Sequence, residues 1–287
     1  MTQHSIVVLG LPSSGKTTFL AALWHLVFSR EITPTLRFGS LKSGTQKHLN
    51  AIAARWRNAQ MQERTQIAGN QFVSMNLLTK DNQPVTVTFP DIAGESYRRM
   101  WEERECETVV AETLKQGSVL LFVHADEINA PRWIVDLDAL ARALGLPQEE
   151  AAEPRSWEPR LAPTQVQLVG LLSLLCDAPL DIGPRRLVVM LSAWDKAKGE
   201  QLAPRDFLRA KLPMLFQYLE TNPSLWDWAV YGVSAQGGDY DDTQPGAQPR
   251  ESARELRAAD EPSRRIEITD GVTTSHDLTI PFAWLMQ

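Results

Sequence analysis

The sequence predicts an α/β fold in three layers, with a mostly parallel central sheet and helices on both faces. Three observations carry that expectation. The strand-like run Ile6-Val7-Val8-Leu9 passes through a glycine-containing turn into the apolar, helix-like run Phe19-Leu20-Ala21-Ala22-Leu23-Trp24. Residues 118–123 and 186–191 are continuous apolar runs, the pattern of strands covered on both faces. Of the 287 residues, 43% are hydrophobic and 22% charged, which argues against disorder, collagen-like structure and a fibrous coiled coil.

The first element carries the most chemistry. Between strand and helix stands Gly10-Leu11-Pro12-Ser13-Ser14-Gly15-Lys16-Thr17-Thr18, a complete match to G-x-x-x-x-G-K-[ST] in the context its mechanism needs. Gly10 and Gly15 let backbone N–H groups close on a β-phosphate, and Lys16 adds a point charge near the β- and γ-phosphates. The Thr17 hydroxyl suits Mg²⁺. Ser13, Ser14 and Thr18 complete the expected nucleotide-binding set, and the fold expected is the three-layer P-loop NTPase fold.

The next strand, residues 85–89, alternates and ends in Pro90-Asp91-Ile92-Ala93-Gly94-Glu95, an Asp-x-x-Gly at a strand's C-terminal end. Asp91 can hold Mg²⁺ through water, and the Gly94 N–H can meet a γ-phosphate. The strand at 186–191 runs into Ser192-Ala193-Trp194-Asp195-Lys196, and a last strand at 228–233 into Ser234-Ala235-Gln236.

In this order of motifs, from Gly10 to Gln236, the chain resembles the translation-factor and Ras-like class of GTPases. The resemblance implies GTP and GDP as ligands with Mg²⁺. It implies that Asp195 receives the guanine N1 and N2 hydrogens and that the Ser234-Ala235 backbone reads O6. The usual Asn/Thr-Lys-x-Asp stands here as Ser192-Ala193-Trp194-Asp195, without the Lys whose stem covers the base. The resemblance also implies a Thr ligand to Mg²⁺ between the first helix and the second strand. Thr65 is the choice because it precedes the strand-like residues 71–78, with Thr33 and Thr35 as alternatives.

Glu95 occupies the position where related proteins carry a Gln that orients the attacking water. A carboxylate there can accept a bond from water but brings negative charge beside the γ-phosphate, so slow intrinsic turnover is expected. Arg64 is the arginine chosen to offset transition-state charge, with Arg98 and Arg99 as alternatives. The segment 90–97, the following Trp101-Glu102-Glu103-Arg104 and the Arg64-Thr65 pair look like the bacterial double-GTPase families, which are associated with conflict or defence systems. That likeness implies a nucleotide-gated subunit with a protein partner. Two other readings stay open: a GTP-binding scaffold without useful turnover, and an ATPase.

The remaining length falls into three expected insertions, at about 39–64, 126–163 and 237–275, in one domain covering 1–287. Leu49, Ile52, Ala53 and Trp56 at helical spacing predict a helix over 46–57 packed on the domain. A helix-like stretch at 133–140 precedes a proline-rich connection, and 164–176 reads as a sheet-covering helix. The lysine-free 237–275 reads as a mobile loop with one short helix near 250–259, and 280–286 as a closing helix.

Charge and composition narrow the function further. Lys and Arg number 29 against 35 Asp and Glu, a net charge of −6 without a basic cluster, so no direct nucleic-acid binding is expected. The separated Cys106 and Cys176 fit a reducing compartment, and cytoplasm is expected. No run approaches the roughly 18 apolar residues of a membrane span, and Met1-Thr2-Gln3-His4 shows no export signal. No His-Glu-x-x-His, Cys-x-x-Cys or Gly-x-Ser-x-Gly spacing suggests another catalytic chemistry.

Overall fold

Strand β1 (His4–Gly10) sends alternate residues to opposite faces: Ile6 and Val8 enter one apolar cluster, Val7 and Leu9 a second. A computed structural model of the protein describes residues 4–62, 71–91, 100–115, 117–131, 143, 158–241, 248 and 250–287. The further strands are β2 (Arg37–Ser43), β3 (Gln71–Leu78), β4 (Pro84–Asp91), β5 (Ser118–His124), β6 (Arg185–Ser192), β7 (Trp226–Ser234), β8 (Glu267–Thr269) and β9 (Thr274–Ser275). Among the described residues these form one sheet in the order β2-β3-β4-β1-β5-β6-β7-β8-β9. The five central strands, β4 through β7 in that order, run parallel. The outer pairings are antiparallel.

The helices, in chain order, are α1 (Lys16–Ser29), α2 (Gln46–Arg57), α3 (Thr108–Leu114), α4 (Thr164–Cys176), α5 (Trp194–Ala197), α6 (Pro204–Lys211), α7 (Pro213–Thr221), α8 (Glu251–Ala258) and α9 (Ile280–Leu285). Apolar residues of α1, α2 and α9 share a cluster with one face of the sheet, and those of α3, α4, α6 and α7 with the other. Strands apolar on both faces are what this layering requires. Helix α1 is apolar through its middle because that stretch is buried: Phe19 to Trp24 are buried without interruption, and α2 packs against it.

Helix α2 has the expected bounds and buries the four expected residues, Leu49, Ile52, Ala53 and Trp56. The Thr45 hydroxyl caps it by accepting the His48 N–H at 3.2 Å, and the Trp24 indole N–H donates to Asn50 Oδ1 at 2.9 Å. Helix α4 also has its expected bounds. The expected helix at 133–140 lies outside the described residues.

The expectation of a mobile loop over 237–275 is corrected for the described residues 250–275. Helix α8 is present, but Ile266 and Ile268 are buried, and β8 pairs antiparallel with β7. The sheet thus gains two short strands in a segment whose polar composition hides them.

Candidate functional site

The parallel register brings the predicted motifs to one edge. Val7 faces Thr88, so Gly10 and Asp91, three residues further along each strand, stand level. Gly10 is opposite Phe122, itself opposite Met190, which is opposite Tyr231. The phosphate loop, the end of β4, the Asp195 turn after β6 and the Ser234-Ala235 turn after β7 therefore all emerge at the C-terminal edge of the sheet. Ligand sites of open α/β sheets occupy that edge.

At the loop, Gly15 caps α1 with φ +85°, and no side chain caps the helix N-terminus. A Cβ at Gly15 would stand 3.0 Å from both Ser192 Cβ and Oγ, so glycine is needed for conformation and for space. An uncapped N-terminus on a fourteen-residue helix directs backbone N–H groups and the positive dipole end at whatever anion lies in the loop. Ser14 is buried, and Ser13 is exposed with φ +59°.

Lys16 folds onto the loop. Its ammonium donates to the Gly10 and Leu11 carbonyls, each at 2.8 Å, and to Ser14 Oγ at 3.1 Å. Burial lowers its pKa from 10.5 to about 7. A charge so poorly solvated gains from an anion placed beside it. Thr17 and Thr18 occupy the first turn of α1.

At the ends of β6 and β7, Ser234 Oγ donates to Asp195 Oδ1 at 2.7 Å and accepts the Gly237 N–H at 3.2 Å. That bond fixes one carboxylate oxygen. Ala193, where the resemblance expects Lys, takes the left-handed conformation at φ +52° and caps α5, turning the chain so that Asp195 falls in its first turn. The Trp194 ring packs into the opposite cluster, against Phe207.

Ser192 adds a contact that the motif spacing alone does not announce. Its hydroxyl donates to the Ser14 carbonyl at 2.9 Å and approaches the Val123 carbonyl at 3.4 Å. It therefore ties the base-side strand end to the phosphate loop. The first position of a motif that elsewhere carries Asn or Thr was the available signal. Trp56, which bonds to Ala235, and Tyr240, which bonds to Thr18, were also missed and had no local signal.

Of the other predicted residues, Asp91 ends β4, its side chain outside the described set. Arg64, Thr65, Gly94 and Glu95, with the alternatives Arg98 and Arg99, lie outside the described residues. Thr33 and Thr35 sit at the opposite end of the sheet. The Thr35 N–H donates to Asp277 Oδ2 at 2.6 Å, and Arg37 pairs with Leu78 at the level of the start of β1. They stand about 20 Å of strand from the phosphate loop.

A cavity of about 210 Å³ lies beside the loop, lined in part by Leu11, Pro12, His124, Glu127, Thr164 and Gln167. None of the base-side residues lines it. Among the described residues no group of three or more His, Cys, Asp or Glu could hold a metal, and no helix is long and apolar enough to cross a membrane.

The solved structures similar to this chain include a bacterial selenocysteine-specific elongation factor, at 10% identity and TM-score 0.37, covering 83% of this chain and 27% of that one. The chain thus spans about a quarter of the factor's length. The small GTPase Arl6 from Trypanosoma brucei aligns at 12% identity and TM-score 0.39, covering 83% and 90%. A signal recognition particle receptor complex from Chaetomium thermophilum aligns at 12% identity and TM-score 0.40, covering 90% and 97%. No curated protein matches. A model of the family described as Double-GTPase 1 matches residues 7–285, nearly the whole sequence. A phosphate loop and an Asp195–Ser234 pair on one edge of a P-loop sheet, together with that match, place the chain in the Double-GTPase 1 family.

Proposed function

We propose that this protein binds GTP with Mg²⁺, hydrolyses it slowly, and uses the difference between its GTP and GDP states to control a protein partner. Family membership supports GTP binding. The observation that carries the reading is the Ser192–Ser14 hydrogen bond, which sets the phosphate loop and the Asp195–Ser234 pair at a fixed separation. A carboxylate held by a hydroxyl on one oxygen is left to accept N–H donors, which guanine offers at N1 and N2. Adenine offers an acceptor at N1.

In this reading the cradle 10–18 holds the phosphates, and Lys16 offsets their charge. The oxygen donors available, the Thr17 hydroxyl with Asp91 at the same edge, suit a hard cation such as Mg²⁺, and Thr65 completes the set. When bound there, such an ion would supply charge neutralisation at the phosphates. Glu95 orients the water, Arg64 offsets charge in the transition state, and the Gly94 N–H meets the γ-phosphate. We read residues 1–287 as one domain, since a single site draws on residues from Gly10 to Ala235. We place its work in the cytoplasm, as part of a bacterial conflict or defence system. Free Cys106 and Cys176 agree with a reducing compartment.

GTP and ATP binding and single-turnover hydrolysis by the purified chain test this. Lys16→Ala is expected to abolish binding and turnover, and unchanged values overturn the phosphate-loop reading. Turnover unmoved by both Glu95→Gln and Arg64→Ala removes those two assignments. The second reading, binding without useful turnover, is favoured by Glu95 itself and predicts stoichiometric GTP retention.

A further inference from the structure

After the Ser234-Ala235 turn the chain stays at the site. Gly237 takes φ +86°, and a Cβ there would stand 2.5 Å from the Arg265 carbonyl, so only glycine makes this bend. The next residues are then held one after another by different elements. The Asp239 carboxylate accepts from Lys196, the neighbour of Asp195. The Tyr240 hydroxyl bonds to Thr18 Oγ1, in the first turn of α1, at 2.9 Å. The Asp241 N–H donates to the Ala59 carbonyl at 3.0 Å, and its carboxylate accepts from Arg257 and from the Arg250 N–H.

Residues 239–241 therefore form a strap from α5 to the start of α1. A nucleoside whose phosphates lie in the loop after β1 and whose base meets Asp195 after β6 crosses the same interval. The two strands are separated only by β5, a span of about 10 Å. Burial raises the Tyr240 phenol pKa, against the hydrogen bond with Thr18, which lowers it.

We propose that Tyr240 contacts the nucleoside, its ring lying along the ribose and base of the bound guanine nucleotide while the strap closes that side of the site. The proposal rests on the reading of residues 10–18 and Asp195 as a GTP site. A phenol ring offers a flat apolar face with few rotatable bonds to immobilise, and base–aromatic contacts of this kind are typically worth tenfold or more in affinity.

The test measures GDP and tripolyphosphate binding to the full chain by calorimetry, tripolyphosphate filling the phosphate cradle without a nucleoside. Tyr240→Ala is expected to weaken GDP roughly tenfold and leave tripolyphosphate unchanged. Tyr240→Phe, which keeps the ring, is expected to stay within about threefold of the parent. If the alanine variant does not fold, Tyr240→Leu carries the same expectation. Unchanged GDP affinity in the variant lacking the ring overturns the proposal, as does equal weakening of GDP and tripolyphosphate, which indicates a disturbed α1 terminus. Tighter GDP binding also overturns it, because the ring then obstructs the site. Failure of the underlying reading shows separately, as unchanged GDP affinity in Lys16→Ala.

Discussion

The Trp56 indole N–H donates to the Ala235 carbonyl at 2.8 Å, joining the helix that follows β2 to the turn that follows β7. The Trp56 carbonyl in turn accepts from Gln236 Nε2 at 3.3 Å and from Arg265, whose guanidinium lies 3.9 Å over the indole. These bonds tie helix α2 to the turn after β7. Trp56→Phe keeps most of the packing but leaves a buried carbonyl unpaired, at a cost of about 1–3 kcal/mol. Guanine-nucleotide affinity is expected to fall with it. Trp56→Ala adds a cavity and is expected to cost about 3–5 kcal/mol, read by chemical denaturation.

Lys16 is expected to make nucleotide binding pH-dependent. Its pKa in the free protein is about 7, and bound phosphates raise it. Below pH 7 the ammonium is already charged, and affinity is at its plateau. Above pH 7 binding must take up a proton, so the GTP dissociation constant is expected to rise by up to about tenfold per pH unit until the bound-state pKa is reached. Titrations at pH 8 in buffers of different ionisation enthalpy read the proton uptake directly.

Asp195 and Ser234 predict a switch of base. In Asp195→Asn the amide oxygen takes the place that accepts the Ser234 hydroxyl, which turns the NH₂ group toward the base. Guanine then meets a donor where it needs an acceptor, while xanthine, with oxygen at C2, gains a partner. Competition is expected to show preference moving from GTP to xanthosine triphosphate, with unaltered thermal stability.

Ser192→Ala removes the tie between the two halves of the site. The Ser14 carbonyl loses its partner, and the expected loss is roughly 1 kcal/mol, or about fivefold in GDP affinity. Conservative replacement by Thr is expected to recover most of it. Equal affinity in Ser192→Ala means that the loop holds its shape unaided.

Ala193→Gly tests local strain. The left-handed conformation costs a non-glycine residue about 1–2 kcal/mol. Glycine at φ +52° is expected to raise the melting temperature by a few degrees, with nucleotide affinity unchanged.

Helices α1, α2, α4, α8 and α9 and the central strands were legible from their apolar patterns and flanking residues, whereas α3, α5, α6 and α7 drew no expectation. Helix α2 announces itself through Leu49, Ile52, Ala53 and Trp56, and β5 and β6 through unbroken apolar runs. Strand β2 reads as polar because it is an exposed edge with Leu41 and Phe38 only half-buried. Strands β8 and β9, of three and two residues, are too short for any period; β8 exists through pairing with β7, and β9 through pairing with β8. The phosphate loop was legible because its chemistry is contiguous. The Thr18–Tyr240 and Trp56–Ala235 bonds were not, since each joins segments separated by most of the chain.

The rims of the sheet bear on how the folded protein behaves in company. Among the described residues the sheet ends at β9, which offers a neighbour two residues, and at β2, whose register with β3 shifts between Phe38 and Ser40 and again between Leu41 and Ser43. Neither is a usable template for a tenth strand. Among the described residues both rims therefore disfavour growth by strand addition, by which large open sheets polymerise.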